Sequence, residues 1–373
     1  MTQKKTKTQA QTLVVGAGLS GAVIARRLAE EKNESVLVID RREQIGGNCF
    51  DQKIEGITIH RYGAHIFHTD DQQVWTWLSR FTCWHEYRHQ VQAQLRDQLI
   101  FLPFNLNALE QCFAPEKVTL MKKTLKQHFA SGQKVTILQL RQIQDPVLQE
   151  LADYVYEHIF LHYTLKQWEC RLEDLDMSVA ARVPVVFDRD DHYFANRYQA
   201  IPAQGYTAMI EKILDHPLVQ VRLDTDYQSL KNQVFRHVYF TGAIDEFGDY
   251  CFGPLPYRSL EFVNQKLDQE YYQAVSVVNY PETQEFTRII EHKHFLAEKT
   301  PYTWITREYP RCFVLGQGER YYPIQNQANQ ELYRRYRDHL ASHQDITFLG
   351  RLGDYQYYDM DKAVARALNL ELR

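Results

Sequence analysis

Two short, unbroken apolar runs frame an amphipathic stretch near the start of the chain. The first lies in residues 11–15, "QTLVV", and the second in "SVLVID" at 35–40. Uninterrupted runs of this length predict strands buried on both faces, as in a parallel sheet. Between them "LSGAVIARRLAEE", residues 19–31, sets Val23, Ile24 and Leu28 at helical spacing, so the three pieces predict a βαβ unit. Helical period returns at about 70–81, "DDQQVWTWLSRF", with Val74, Trp77, Leu78 and Phe81 on one face; Trp75 and Trp77 read as packing residues. "HQVQAQLRDQLIFLPFN" at 89–105 alternates, breaks at Arg96–Gln98 and alternates again, which predicts a hairpin, although its turn lacks a glycine.

From 106 to about 175 the pattern is mostly helical, as in "KVTLMKKTLKQHF" and "PVLQELADYVYEHIFLHYTLKQW". "HYFANRYQAIPAQGYTAMIEKIL", 192–214, ends in a further helix, and "VFRHVYFTGAID", 234–245, holds a strand that ends in Thr-Gly. Between 255 and 315 four strand-like stretches, "YRSLEFVNQKL", "QAVSVVNY", "FTRIIEH" and "TWITREY", predict a largely antiparallel sheet. The stretch "DITFLGRLGDYQYYDMDKAVARAL" reads as strand, loop and helix, with Asp359 or Asp361 at the helix cap. The expected fold is α/β. A discontinuous Rossmann-like domain takes residues 1–78, 200–243 and 316–373, a mainly helical substrate domain takes 79–180, and an antiparallel sheet domain takes 181–199 and 244–315.

Glycines give the first unit a chemical meaning. "GAGLSG" puts Gly16, Gly18 and Gly21 at G-x-G-x-x-G spacing between strand and helix. Gly16 suits the tight turn, Gly18 lets a pyrophosphate approach the backbone, and Gly21 lets helix and strand pack closely. Asp40 closes the second strand, where a carboxylate can take a ribose hydroxyl. "RREQIGGNCF" then brings a second close backbone approach at Gly46 and Gly47, which favours a flavin protein over a nicotinamide dehydrogenase.

Composition excludes more than it suggests. The 373 residues are 44% apolar and 24% charged, with a net charge of -4, so no continuous phosphate track for nucleic acid is expected. No run approaches eighteen apolar residues, so no membrane span is expected. The leader "MTQKKTKTQAQ" has no apolar core of a secretory signal. Cysteines 49, 83, 112, 170, 251 and 312 form no C-x-x-C pair and read as free thiols of a reducing, cytoplasmic compartment. The pairs His65/His68 and His292/His294 lack a third ligand, so no metal is expected. The 24 tyrosines, 19 phenylalanines and 5 tryptophans suit sugar, base and phosphate binding.

Several stretches match one family in order from residue 14 to 361: "GAGLSGAV", "IGGN", "YGAHIFHT", "LPFN", "YTLKQW", "RVPV", "YFANRYQAIP", "GYTAMI", "YRSLEF", "TRIIEHKHF", "REYP", "YYPI" and "GRLGDYQYYDMD". The sequence resembles the bacterial UDP-galactopyranose mutases. The resemblance implies interconversion of UDP-galactopyranose and UDP-galactofuranose for cell-surface glycans, an FAD that acts when reduced as a nucleophile at the anomeric carbon, a reductant such as NAD(P)H or a reductase, and a homodimer. It implies that Arg182 and Arg288 contact the substrate diphosphate, since a guanidinium fork matches phosphate oxygens. Tyr163 corresponds to the uridine-stacking tyrosine and Trp168 to the tryptophan near the sugar, while Tyr193, Tyr322 and Tyr357 correspond to tyrosines on the diphosphate. Asp359 resembles an acid near substrate and flavin, and His65 a residue beside the isoalloxazine, with His68 equally readable as packing. Arg351 would lie at the FAD pyrophosphate, Asp40 at the adenosine ribose, and Gly46 and Gly47 at the flavin entrance. Leu19, Ser20, Arg41, Asn48, Ile66, Gly242, Tyr358 and Met360 complete the cofactor set implied in the same way.

Two departures stand out. The stretch "LHYTLKQWEC" has His162 before the tyrosine and Glu169 after the tryptophan, where the family has glycine. Losing permissive residues there tightens or shifts the helix end and leaves the tolerated sugar open, an N-acetylated galactose nucleotide included. Two other readings share the dinucleotide motif: an FAD-dependent oxidoreductase of amine-oxidase type, and a non-catalytic flavoprotein that binds nucleotide sugars.

Overall fold

The computed structural model describes residues 11–175 and 183–373. A parallel sheet is built around the opening βαβ unit. Its five strands lie in the order Val219–Arg222, Val36–Ile39, Thr12–Val15, Val238–Phe240 and Ile346–Phe348, every pair parallel. "TLVV" and "VLVI" are almost wholly buried, as their unbroken apolar character requires. The helix Leu19–Glu31 buries Val23, Ile24 and Leu28 together with Ala22, Ala25 and Ala29. Its outer face carries the pairs Arg26–Glu30 and Arg27–Glu31 four residues apart. Arg27 also donates to the carbonyls of Ala367 and Leu370, tying this helix to Met360–Leu368 near the other end of the chain.

The central helices start where side chains can cap them. Asn105 accepts from the amides of Asn107 and Ala108, Asp145 from those of Val147 and Leu148, and Pro115 opens its helix at a position needing no amide donor. Pro146–Val155 runs through one wider turn, Tyr156–Leu161, into His162–Trp168.

The four strand-like stretches form strands Tyr257–Leu267, Val277–Asn279, Arg288–Glu291 and Thr303–Cys312. They belong to a seven-stranded sheet, in which Tyr257–Leu267 and Thr303–Cys312 pair antiparallel along nearly their whole length. The hairpin Val91–Leu95/Gln98–Leu102 forms the edge of this same sheet, and Val91–Leu95 runs parallel to Val277–Asn279. The missing turn glycine is replaced by Arg96, which itself takes φ +50. A smaller sheet, Phe67–Thr69, Tyr198–Pro202 and Trp84–Glu86, packs beside it with Trp75 stacked between Trp84 and Tyr198.

Candidate functional site

All five parallel strands end at one cavity. Its walls are the loops that follow them: Gly16–Gly21, Asp40–Arg42, Thr225–Gln228, Thr241–Ala243 and Gly350–Leu352. This is where an open parallel sheet holds a ligand. The first helix begins at Gly18 with no side-chain cap and no acid in its first turn, so its free amides face outward for an anion. The glycines are required by contact. A Cβ on Gly21 would stand 1.9 Å from the carbonyl oxygen of Gly16. Gly47, at φ +56, brings its backbone so near Gly18 that a Cβ there would lie 3.0 Å from the Gly18 Cα. The Gly46 amide donates to the Ala17 carbonyl at 2.9 Å, locking the two glycine loops side by side. Asp40 holds the rim: one oxygen accepts from the Ala17 amide at 2.8 Å and the other from the Arg42 amide at 2.9 Å. A cleft lined by backbone, with the amides of a helix start and a strand-terminal acid beside them, fits a dinucleotide.

Leu19, Ser20, Arg41, Asn48, His65, Gly242, Arg351, Tyr358, Asp359 and Met360 also line this cavity. Ile66 does not; it lies on the wall of the next one. Sequence reasoning missed Thr225–Gln228, Glu246, Glu319 and Arg320. Arg41 reaches Glu246 and Glu319, Arg42 pairs with Glu319 at 2.9 Å, and the buried Arg320 pairs with Glu246 at 2.9 Å. This chain of charges straps the segment around residue 319 across the cavity mouth.

A second cavity opens on the far side of Asn48, His65, Arg351, Asp359 and Met360, which line both. Tyr193, Arg288, Tyr322 and Tyr357 are on its walls, so four expected substrate residues from distant parts of the chain meet here. Arg288 is half-buried at the start of its strand. Its Nη2 donates to the Tyr163 hydroxyl, and its Nε lies 3.4 Å from Oε1 of the buried Glu308. Burial opposes the Arg288 charge, but Glu308 together with the surrounding Tyr163, Tyr322 and Tyr193 outweighs it and the Arg288 pKa moves up, so it stays a cation.

Tyr163 and Trp168 sit behind the wall. Tyr163 backs Arg288, and Trp168 is buried with its ring 5.8 Å from those of both Tyr322 and Tyr357. Arg351 donates to the carbonyls of Tyr321 and Tyr358 and stands against the rings of Tyr322 and Tyr357. Asp359 occupies the N-cap position of Met360–Leu368 but makes no capping bond through its side chain. Arg182 lies outside the described residues.

His65 is set by its neighbours. Its Nδ1 is 2.8 Å from the Gly63 carbonyl, which can only accept, so Nδ1 carries the proton and Nε2 is left with a lone pair. Burial, then the adjacent His60, pushes the imidazole down to about 3, so it is neutral. His68 packs face to face on Phe194 with ring centres 3.7 Å apart. His292 and His294 are engaged in the sheet, with Thr306 and with Glu291. Among the described residues no helix is long and apolar enough to cross a membrane.

Comparison with known proteins agrees with this architecture. Residues 158–357 match the family model for UDP-galactopyranose mutase, and residues 14–81 match that for an NAD(P)-binding Rossmann-like domain. A probable UDP-galactopyranose mutase of Klebsiella pneumoniae is 36% identical over 365 residues, 95% of this chain and 92% of that protein. A dTDP-fucopyranose mutase of Escherichia coli is 34% identical over 368 residues, 96% of each. The UDP-galactopyranose mutase of Mycoplasma pneumoniae is 34% identical, covering 95% of this chain and 94% of its own. A crystal structure of reduced UDP-galactopyranose mutase superposes with a TM-score of 0.73 at 14% identity, covering 96% of this chain and 92% of that one, and shows the shared fold. Given the family match over residues 158–357 and relatives aligned nearly end to end, the chain belongs to the UDP-galactopyranose mutase family.

Proposed function

We propose that the protein interconverts the pyranose and furanose forms of a nucleotide-linked hexose, UDP-galactopyranose and UDP-galactofuranose, with reduced FAD in the first cavity. The observation that carries this reading is the junction. A dinucleotide cleft and a cavity holding a guanidinium and three tyrosines share Asn48, His65, Arg351, Asp359 and Met360 as a common wall. A flavin reaching that wall would present its ring to a sugar in the second cavity, and the chemistry it supplies when reduced is that of a nucleophile.

The protein's own groups supply the rest. Gly16, Gly18, Gly21, Gly46 and Gly47 leave room for the pyrophosphate, and Asp40 is the acceptor for the ribose. Arg288, held between Tyr163 and Glu308, offers a fixed positive charge to the diphosphate as it leaves the anomeric carbon. Tyr193, Tyr322 and Tyr357 are hydroxyl donors around the same position, and the family resemblance implies a second cation in Arg182. Neutral His65 offers its Nε2 as a hydrogen-bond acceptor toward the shared wall and, with its pKa pushed down to about 3, adds no charge there at neutral pH. Trp168 supports the tyrosines from behind. The expectations of a cytoplasmic homodimer, and of reduction by NAD(P)H or a reductase, rest on the family resemblance.

The test is incubation of dithionite-reduced protein with UDP-galactopyranose and separation of products by chromatography. A furanose product supports the reading; retained flavin with no product refutes it. A second reading has its own support, because the relative named dTDP-fucopyranose mutase is as similar as the others. It predicts faster turnover of a dTDP-linked 6-deoxyhexose than of UDP-galactopyranose, and the same assay run with both decides.

A further inference from the structure

The helix His162–Trp168 carries Tyr163, which contacts Arg288, and Trp168, which backs the cavity tyrosines. Two cations hold it. At its end, the fully buried Arg258 donates to the carbonyls of Lys166 and Gln167 and pairs at 2.8 Å with Glu169. On its side, the Lys166 ammonium donates to three backbone carbonyls, those of Tyr280, Gln284 and Phe286.

Those carbonyls belong to one loop, residues 280–287. It joins Val277–Asn279 to Arg288–Glu291 and is closed by the Tyr280 amide on the Thr287 carbonyl at 2.8 Å. The residues at its two ends, Asn279 and Arg288, both line the second cavity. Tyr163 and Lys166 are three residues apart and so share a helix face. One turn of helix thus grips Arg288 by its guanidinium and, one step on, by the loop that leads into it.

Three carbonyls converging on one point repel each other unless a cation sits among them. Lys166 is that cation, and Glu282 of the same loop adds to its field. Burial pulls the ammonium down to about 8, so at pH 7 the charge is present.

We infer that Lys166 is a positioning residue for the diphosphate site: by gathering the 280–287 loop it sets where Arg288 stands relative to Tyr163. The inference rests on the proposed nucleotide-sugar reading. It assigns Lys166 no contact with substrate, cofactor or reacting atoms.

The test uses flavin-loaded protein at pH 7 with UDP as the probe, and steady-state kinetics with the nucleotide sugar. Lys166→Met should raise the UDP Kd and the substrate KM about tenfold, the scale of one lost charge-assisted hydrogen bond, with kcat within about twofold and an unchanged flavin spectrum. In an Arg288→Ala background the same substitution should weaken UDP binding by less than about twofold, because the residue it positions is gone. A merely structural role would give the full loss in both backgrounds. If K166M does not retain flavin, K166R serves the same cycle, since a planar fork keeps the charge but cannot converge on three acceptors. Wild-type UDP affinity in the variant, or full additivity with R288A, would overturn the inference alone. Wild-type protein that binds no UDP would overturn the proposed function and this inference with it.

Discussion

Gly47→Ala tests the cradle most directly. Gly47 sits at φ +56, and its Cβ would approach the Gly18 Cα to 3.0 Å. Two penalties follow, and they are separable. Placing alanine in a left-handed conformation costs about 1–2 kcal/mol. The contact with Gly18 is backbone on backbone, so it is relieved only by moving one glycine loop from the other by a few tenths of an ångström. Both loops face the same proposed pyrophosphate, and losing one charge-assisted hydrogen bond there is worth about 1.5–3 kcal/mol, or roughly 10- to 100-fold in cofactor affinity. Gly253 is the control: it has φ +88 and nothing within 4 Å of its Cβ position, so Gly253→Ala carries the conformational strain alone. Melting temperature and FAD retained per chain after gel filtration should be measured for both. We expect both variants to melt a few degrees low and only G47A to lose flavin. If G47A keeps stoichiometric flavin and is destabilised no more than G253A, the argument from close approach is wrong.

Three further predictions concern charge. On the proposed reading, in which Arg288 is a preorganised cation for the leaving diphosphate, Arg288→Ala should lower kcat/KM by at least about 100-fold while the flavin spectrum is unchanged; wild-type turnover would rule out that role. His60, His65 and His89 are each pushed by burial down to about 3. The unfolded chain therefore binds more protons than the native one between about pH 3 and 6.5, and stability should fall as pH drops through that window, which thermal melts from pH 7 to 5 will show; replacing His89 with Asn should flatten the slope. Glu169 stands at φ +57 with its carboxylate on the buried Arg258, so E169A should destabilise by about 1–3 kcal/mol in urea denaturation, and E169G by less because glycine relieves the strained backbone; the opposite order would refute the account.

What could be read beforehand was local. The apolar runs, the glycine spacing and the terminal acid lie within about 30 residues of one another, and their physics is that of one turn and one helix start. What could not be read depends on partners far along the chain. Nothing near Val91–Leu95 announces that it will run parallel to Val277–Asn279, since pairing choice is a property of the whole sheet. Thr225–Gln228 and Glu319–Arg320 carry no periodicity, and they reach the dinucleotide cavity only because strand ends and a strap converge there. The motif "TRIIEHKHF" carries part of the family resemblance, yet beyond Arg288 it is a structural knot. Glu291 accepts from the amides of Tyr272 and Gln273 and from Thr303, and Lys293 is fastened to the carbonyls of Glu270, Thr300 and Tyr302. Specificity of a motif marks what the fold needs as readily as what the reaction needs. The glycine-to-glutamate departure shows the converse: Glu169 accepts the left-handed backbone and uses its carboxylate to fasten Arg258.

The strand order of the parallel sheet has a consequence in time. Thr12–Val15 is synthesised before the other strands of this sheet, but its neighbour Val238–Phe240 follows more than 200 residues later, and Ile346–Phe348 later still. At about 5–20 residues per second, the opening βαβ unit waits ten seconds or more with an unpaired edge. The cavity is lined at Gly350–Leu352 and Tyr358–Met360, so it is completed only by the last part of the sheet to emerge. Cofactor capture is therefore a late event in the birth of this protein, and a ribosome that stalls in the middle of the chain leaves half a cleft and an open sheet edge for chaperones to shield.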